Sequence, residues 1–312
     1  MQKSTQANHK KVANDMLKTD HYILGIDGGG TKTVAKLVNI RTQQVWLKKG
    51  GSASLSNDFD GAISVIKQLC QALTTQANCQ YQQITAVFGI AGADNKIQHL
   101  QCSQAFTDNF KKLHICSDAT TSVFGANLGK PVVVAAIGTG SVGMRLEETG
   151  KSTLTGGWGF LLGDEGSGAK LGLNTLKVVL AEVQKYESCP EKEATSLLAQ
   201  NIFLITGQSK TAIIQWAKHA TPADFATFSP DVFSLYSHCE QANNLIKQHV
   251  KSVEALIDLT RGNSKLPVVL LGGLASPTTP LLSKNIQALL IPAKGSALDG
   301  ACLLASSLLS HT

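Results

Sequence analysis

The feature that most constrains the fold is the segment GIDGGGTKT at residues 25–33. The apolar segment YIL precedes it and VAKLVNI follows it, so both flanks have the composition of β-strands. A Walker A phosphate loop has a glycine directly before its Lys-Ser/Thr pair and opens a helix, whereas Thr31 precedes Lys32 here and a strand follows. The dinucleotide-binding fingerprint also leads into a helix. The segment therefore predicts a β-hairpin with a glycine-rich turn.

The same plan recurs later in the chain. PVVVAAIGTGSVGMRLEE, which begins at Pro131, is again an apolar strand, a turn of glycines and hydroxyls, and a second strand. Apolar residues at helical spacing mark FDGAISVIKQLCQALTTQA and NNLIKQHVKSVEALIDL, and ITAVFGIAGA and PVVLLGGLAS have the composition of buried strands. Strands and helices that alternate in this way predict an α/β protein, and the repeated hairpin predicts two related halves.

The order of these elements gives a domain organisation. We predict a polar tail over residues 1–21, an N-terminal domain over 22–117 and a C-terminal domain over 118–295. The closing helical segment, 296–311, could pack back on the N-terminal domain. No low-complexity linker separates the halves, which is typical of domains that touch and hinge.

Composition excludes several classes of function. No apolar run approaches the roughly 20 residues that a membrane helix needs, and the first 20 residues lack the apolar stretch of a signal peptide. We therefore expect a cytoplasmic protein without a membrane partner. The seven cysteines are scattered without a C-x-x-C pair, which argues against disulfides and zinc or iron–sulfur sites. The net charge of +6 is spread along the chain and aromatic residues are only 5%, so no nucleic-acid partner is expected.

The chemistry of the first turn favours an anionic ligand. Glycines let backbone N–H groups approach a phosphate closely, and Thr31, Lys32 and Thr33 add donors. Asp27 ends the strand, where a carboxylate can hold a hydrated Mg²⁺ ion. The alternative is a tight hairpin that needs glycine only for its own geometry. The similar turn GTGS at 138–141 favours phosphate binding.

Six motifs together carry a family resemblance. DGGGTKT, GIAGAD, SDATTSVFGAN, AIGTGS, GGWGFLLGDEGSG and LLGGLAS follow one another in this order over nearly the whole chain from Tyr22. The set resembles the sugar-kinase, Hsp70 and actin ATPase superfamily, and within it the BadF/BadG/BcrA/BcrD ATPase family, in particular its N-acetylglucosamine and glucosamine kinases. The resemblance implies two actin-like (ribonuclease H-like) domains with a nucleotide cleft between them, ATP and Mg²⁺ as cofactors, and a homodimer.

The resemblance also implies site residues. Asp118 in SDA would be the general base that receives the proton of the attacked hydroxyl and contacts the sugar, although the sequence alone favours a helix N-cap at this position. The implied ATP and phosphate ligands are Gly28, Gly29, Gly30, Thr31, Lys32, Thr33, Gly138, Thr139, Gly140 and Ser141, with Gly272 and Gly273 near the adenosine end. The implied sugar ligands are Gly157, Trp158, Gly159, Asp164 and Ser167, with Ser54 and Asn57 from GGSASLSND.

Together these features predict an ATP-dependent kinase that phosphorylates the 6-hydroxyl of N-acetylglucosamine. Ser54 stands where related enzymes commonly carry a sugar-binding asparagine, so glucosamine is the alternative substrate; an N-acetyl methyl prefers an apolar wall, which Trp158, Phe160 and two leucines could supply. A less favoured alternative is an ATPase activator of an acyl-CoA dehydratase or reductase, which needs closely placed cysteines. A non-catalytic nucleotide-binding module would be expected to lose Asp27 or Asp118, and both are present.

Overall fold

The computed structural model describes residues 20–107, 109–188 and 195–310. The predicted tail lies outside the described residues up to position 19. The nine strands of the described part are β1 Tyr22–Gly28, β2 Thr33–Asn39, β3 Val45–Gly50, β4 Ile84–Ile90, β5 Lys112–Cys116, β6 Val132–Ile137, β7 Ser141–Leu146, β8 Ser152–Gly156 and β9 Val268–Leu271.

Thirteen α-helices complete the described part, with single 3₁₀ turns at Tyr81–Gln83 and Thr279–Leu281. They are α1 Phe59–Ala77, α2 Lys96–Ala105, α3 Asp118–Ala126, α4 Gly159–Leu162, α5 Gly168–Ser188, α6 Leu197–Thr206, α7 Lys210–His219, α8 Pro222–Ala226, α9 Ser229–Leu235, α10 Glu240–Arg261, α11 Ala275–Thr278, α12 Lys284–Gln287 and α13 Ala297–Ser310.

The chain folds into two compact units. Among the described residues, the first comprises those up to Lys130 and those from Lys294 onward, and the second lies within Pro131–Ala293. The division thus falls after α3 rather than before Asp118, where the sequence placed it. The physical reason is that α3 packs against β4 and against the C-terminal helix α13, which both belong to the first unit.

The first unit is built on a five-stranded sheet of order β3-β2-β1-β4-β5. β1 pairs antiparallel with β2 and parallel with β4, which in turn pairs parallel with β5. Helix α1 covers one face with the stripe that its periodicity predicted, Ile63, Ile66, Leu69, Cys70 and Leu73. Helix α13 lies on β1 and β4. Because both faces are covered, six of the seven residues of β1 are buried.

Close packing explains one glycine of β1. A Cβ at Gly25 would lie 2.7 Å from the Sγ of Cys302 on α13. Only the missing side chain lets the helix approach the strand this closely. Gly25 therefore serves the fold, although it adjoins the glycine-rich turn in sequence.

The second unit repeats the start of this plan. Its four-stranded sheet has the order β8-β7-β6-β9, so an antiparallel meander is again followed by a strand parallel to its first strand. Helix α10 packs Val253 and Ile257 against β6. Helices α5 to α10 enclose a further apolar cluster around Phe225 and Phe228. Among residues 20–107, 109–188 and 195–310, none of the helices has the length and apolar composition needed to cross a bilayer.

Candidate functional site

Sheet register places two of the candidate acids on one edge of the first unit. Asp27 pairs with Gly89 across β1 and β4, and Gly89 pairs with Cys116 across β4 and β5. These three strands are parallel, so their carboxyl ends meet at the same edge, where α/β proteins bind ligands. Asp118 follows Cys116 by two residues and therefore stands at the edge that Asp27 occupies.

Asp118 is not the N-cap of its helix. That position belongs to Ser117, whose hydroxyl accepts the N–H of Thr120 at 3.4 Å, while Asp118 is the first helical residue. The Asp118 carboxylate accepts a local bond from the N–H of Ala119 at 2.9 Å. The residues alone favoured a cap at Asp118, and the structure assigns that cap to the neighbouring Ser117 instead.

Burial makes both acids more basic than usual. Desolvation raises the pKa of Asp118, and the charge of Asp94 raises it further, against the Ala119 N–H. Desolvation also raises the pKa of Asp27, with a second contribution from Asp118, while Lys32 opposes the shift. A carboxylate with a raised pKa is a stronger acceptor for a hydroxyl proton.

Two glycines at the tip of the first hairpin, Gly29 and Gly30, are not required by the hairpin itself. None of Gly28, Gly29 and Gly30 has a positive φ. A Cβ on Gly29 or Gly30 would meet its nearest atom only at 3.6 or 3.7 Å, an ordinary contact distance. The backbone geometry and the protein packing would therefore accept a side chain at both positions. This favours the reading in which the glycines leave room for another group.

The hydroxyls of this hairpin differ in what they can do. Thr33 is fully buried, and its hydroxyl donates to the Gly51 carbonyl at 2.7 Å. That proton is committed to the fold, so Thr33 is not available to a phosphate in this arrangement. Gly30, Thr31 and Lys32 are exposed at the tip, and they keep the donors that an anion could reach.

The loop between β3 and α1 is tied to the hairpin. The N–H of Ala53 donates to the Gly29 carbonyl at 3.0 Å. Ser54 in this loop is buried with 5% of its surface exposed. The amide nitrogen of Asn57 lies 3.7 Å from the Cβ position of Gly30. Asn57 was predicted as a sugar ligand from the sequence. In the structure it neighbours the predicted phosphate turn.

The second glycine turn is braced by the helix that follows later in the chain. The N–H groups of Gly168 and Ala169 at the start of α5 donate to the carbonyls of Gly138 and Thr139 at 2.7 and 3.2 Å. The Ser141 hydroxyl donates to the Glu165 carbonyl at 2.8 Å and is buried. Thr139 is exposed, and it retains a hydroxyl that a phosphate could reach.

The segment GGWGFLL has a backbone that only glycine adopts easily. Gly157 and Gly159 have φ values of 69° and 79°. Between them, Trp158 is 72% exposed and presents its ring to solvent. Phe160 turns the other way and stacks on Phe225, with ring centroids 5.3 Å apart. Of the predicted apolar wall, the tryptophan and Leu161 and Leu162 are exposed, while Phe160 belongs to the core of the second unit.

Asp164 links the two predicted ligand segments of the second unit. It is one of four non-glycine residues of the described chain with a positive φ, at 62°. Its carboxylate oxygen lies 2.9 Å from the Cβ position of Gly140. Burial raises the pKa of Asp164, and the N–H groups of Ser141 and Gly159 and the charge of Lys170 lower it.

Two further predicted ligands serve mainly the fold. Ser167 is fully buried, and its hydroxyl accepts the N–H of Lys170 at 3.1 Å in the first turn of α5. Gly272 has a φ of 97°, and a Cβ there would overlap the Ile137 carbonyl. Gly273 differs, because a Cβ there would have no atom within 4 Å, and its surroundings are open to a ligand.

Sequence reasoning missed two charged residues near these groups. Asp94, the exposed last residue of GIAGAD, acts on Asp118 through its charge. Lys170 pairs with Glu165 at 3.3 Å and acts on Asp164. Asp94 stands inside GIAGAD, one of the six motifs that carry the family resemblance. Nothing in the sequence marks Lys170, because its position near Asp164 arises only when the first turn of α5 has folded.

The acids suit a hydrated cation better than a fully coordinated one. Within the described part of the chain, no three His, Cys, Asp or Glu side chains converge closely enough to hold a metal ion by themselves. The six cysteines of this part are free thiols, and Cys189 lies outside it. Mg²⁺ is commonly held by one or two carboxylates with water and substrate phosphates. Asp27, half-buried and with a pKa raised by burial, fits that role.

Comparison with known proteins gives consistent matches along most of the chain. The sequence matches the BadF/BadG/BcrA/BcrD ATPase family over residues 24–301. A glucosamine kinase from Vibrio cholerae is 28% identical over 291 residues, which cover 91% of this chain and 96% of the relative. An N-acetyl-D-glucosamine kinase from Dictyostelium discoideum is 28% identical over 292 residues, which cover 85% and 89%.

A solved structure shows the same fold. A crystal structure from Chromobacterium violaceum, of a protein provisionally named N-acetylglucosamine kinase, superposes with a TM-score of 0.79 at 27% identity. The match covers 91% of this chain and 99% of that chain. The α/β fold class predicted from the alternating elements is thereby confirmed.

Proposed function

This chain belongs to the BadF/BadG/BcrA/BcrD ATPase family, as its six ordered motifs predicted, and we propose that it is an ATP-dependent kinase of an amino sugar. The proposed reaction transfers the γ-phosphoryl group of ATP to the 6-hydroxyl of N-acetylglucosamine. The observation that carries the proposal is the state of Asp118, a half-buried carboxylate at a strand end whose helix is capped by its neighbour Ser117. Relatives that are named as amino-sugar kinases support the substrate class.

Asp118 is the proposed general base. The sugar oxygen attacks the γ-phosphorus, the bond to the β,γ-bridging oxygen breaks, and ADP leaves. The hydroxyl proton passes to the Asp118 carboxylate. Its raised pKa favours that transfer, and its hydrogen bonds to local backbone N–H groups leave acceptor capacity on the two carboxylate oxygens.

The first hairpin supplies donors for the phosphates. Lys32 brings a positive charge, and Gly30 and Thr31 bring backbone and hydroxyl donors at the exposed tip. Asp27 would hold Mg²⁺ through water, and the ion supplies charge neutralisation on the phosphate oxygens. In the second unit, Thr139 is the corresponding exposed donor. Thr33 and the Ser141 hydroxyl are left out of the proposed ligand set, since both are committed to backbone carbonyls.

The sugar ligands proposed in the second unit are Asp164 and Trp158. A carboxylate accepts sugar hydroxyls with charge-assisted bonds, and an exposed indole covers the apolar face of a pyranose ring. Leu161 and Leu162, 87% and 82% exposed, extend the apolar surface beside Trp158. This surface favours an N-acetyl group, whose methyl gains from apolar contact. Ser167 is excluded by its complete burial.

Glucosamine is the second candidate substrate. The relative from Vibrio cholerae that carries this activity in its name is matched over nearly its full length. The acids Asp27, Asp94 and Asp118 also give the strand-end edge of the first unit a negative charge that would attract an ammonium group. The proposed kinase reaction is therefore the same for both sugars, and recognition of the acyl group is what distinguishes N-acetylglucosamine from glucosamine.

ADP release tests both parts. Purified protein with ATP and Mg²⁺ would be assayed against N-acetylglucosamine, glucosamine, glucose, N-acetylmannosamine and no sugar. We expect release to depend on an amino sugar, with N-acetylglucosamine giving the higher kcat/KM. A preference for glucosamine would replace the substrate and keep the kinase. Release that is indifferent to every sugar, or none at all, would contradict the kinase.

A further inference from the structure

Lys170 is unusual because it is a lysine whose side chain is only 15% exposed. Lysine is almost never buried without a partner, since taking its ammonium out of water is costly. It projects from the first turn of α5, the helix that directly follows GGWGFLLGDEGSG. The contacts of Lys170 therefore indicate what this mostly buried side chain does.

The ammonium of Lys170 contacts two residues inside that segment, Phe160 and Glu165. Its Nζ lies 5.7 Å from the centroid of the Phe160 ring, a cation–π distance. It also lies 3.3 Å from a carboxylate oxygen of Glu165. Phe160 is itself fixed by its stack on Phe225, which is 4% exposed. The lysine therefore connects a core-anchored ring to the loop that carries Asp164.

We propose that Lys170 is a positioning residue for the sugar site, which holds the loop 163–166 against the Phe160 ring through Glu165 and places a positive charge near the Asp164 carboxylate. The inference rests on the proposed function of Asp164 as a sugar ligand. Asp164 must be a carboxylate to accept two hydroxyl donors, because a protonated acid gives up part of its acceptor capacity. Lys170 acts on the sugar only through Asp164 and the loop.

The electrostatic surroundings of Asp164 give the direction of the effect. Burial raises the pKa of Asp164, and Glu165 raises it slightly as well. The N–H groups of Ser141 and Gly159 and the charge of Lys170 oppose these influences. Removal of the lysine charge leaves Glu165 unbalanced, so the pKa of Asp164 should rise and the carboxylate should be lost at a higher pH.

Two variants separate charge from packing. Lys170→Met keeps an unbranched apolar stem over Phe160 and removes the charge, and Lys170→Arg keeps the charge. Lys177→Met is the matched control, since Lys177 lies on the same helix and is exposed. The titration of Asp164 would be followed by NMR of ¹³C-carboxyl-labelled aspartate, with the signal assigned by its loss in Asp164→Asn. This measurement needs neither sugar nor ATP.

The proposal predicts a charge-dependent pattern. In Lys170→Met, the Asp164 signal should titrate at higher pH than in wild type, Lys170→Arg or Lys177→Met. The half-saturation concentration for the sugar should rise roughly two- to fivefold, as expected for one ion-pair partner, with little change in kcat. On the acid side, the half-saturation concentration should begin to rise at a higher pH than in wild type. Lys170→Arg should restore both the half-saturation concentration and its pH dependence.

Two results would overturn the inference. One is an Asp164 titration that is the same in wild type and Lys170→Met. The other is a rise in half-saturation that Lys170→Arg fails to reverse and that accompanies an equal loss of thermal stability, which would mark Lys170 as purely structural. If wild type releases no ADP with any sugar, the proposed function fails on its own, and the titration still decides whether Lys170 controls the charge of Asp164.

Discussion

Asp27 and Asp118 stand at one edge of the first sheet, and partial burial together with the charge of Asp118 raises the pKa of Asp27. Two half-buried like charges repel each other and lose hydration, so their proximity costs stability unless a cation or a proton relieves it. This cost is typical of functional sites.

Asp118→Asn should abolish most turnover while sugar binding survives. The amide keeps the size of the side chain and the Ser117 cap but cannot accept a proton, so kcat should fall by roughly 10²- to 10⁴-fold. Steady-state ADP release and calorimetric sugar binding would measure the two effects. Asp60→Asn, an exposed acid on α1, is the control. An unchanged kcat would remove Asp118 from the role of base.

The same substitution should make the protein more stable near neutral pH. The folded-state pKa of Asp118 is raised above its usual value of 3.8, so its contribution to stability is fully present below that value. It is lost as pH rises through the raised pKa. Asn carries no such penalty, so the melting temperature of Asp118→Asn should exceed that of wild type near neutral pH. The gain should shrink toward pH 3.8; a constant difference would contradict the buried-charge explanation.

Substitutions at Asp164 should separate chemistry from backbone strain. Its φ of 62° is tolerated by Asn but costs alanine about 1–2 kcal/mol. Asp164→Asn should weaken sugar affinity by roughly 10- to 100-fold through the lost charge-assisted bonds, with little change in melting temperature. Asp164→Ala should lose the same affinity and melt earlier. Normal sugar affinity in Asp164→Asn would take Asp164 out of the sugar site.

Gly272 and Gly273 offer a matched pair for the nucleotide. Gly272→Ala should destabilise the second unit by at least about 1–3 kcal/mol, because its positive φ and the Ile137 carbonyl oppose a Cβ. Gly273→Ala has open space, so it should fold normally and raise KM for ATP if the adenosine end lies there. Thermal melts and ATP-dependent kinetics measure these effects. An unchanged KM for ATP in Gly273→Ala would show that the adenosine end does not lie beside Gly273.

Much of the fold followed from local pattern. The glycine turns between apolar strands predicted both hairpins, and the spacing of Ile63, Ile66 and Leu69 predicted the buried face of α1. The order of the motifs identified the family. These features depend on neighbours in sequence, which is why periodicity and turn composition revealed them.

Tertiary structure decided which of the marked side chains are free to act. Ser117 caps the helix and leaves Asp118 available, whereas the hydroxyls of Thr33 and Ser167 are hydrogen-bonded to backbone groups. The sequence could not show which way Phe160 faces either, because its stacking partner Phe225 lies 65 residues further along the chain.

The sequence by itself therefore determined the kinds of element, their order and the residues worth testing. Only the folded chain determined burial, register and hydrogen-bond partners, and with them the raised pKa of Asp118 and the contacts of Lys170. The physical reason is that desolvation and charge–charge interaction depend on distances between residues far apart in sequence. Those distances exist only once the sheets and helices have packed.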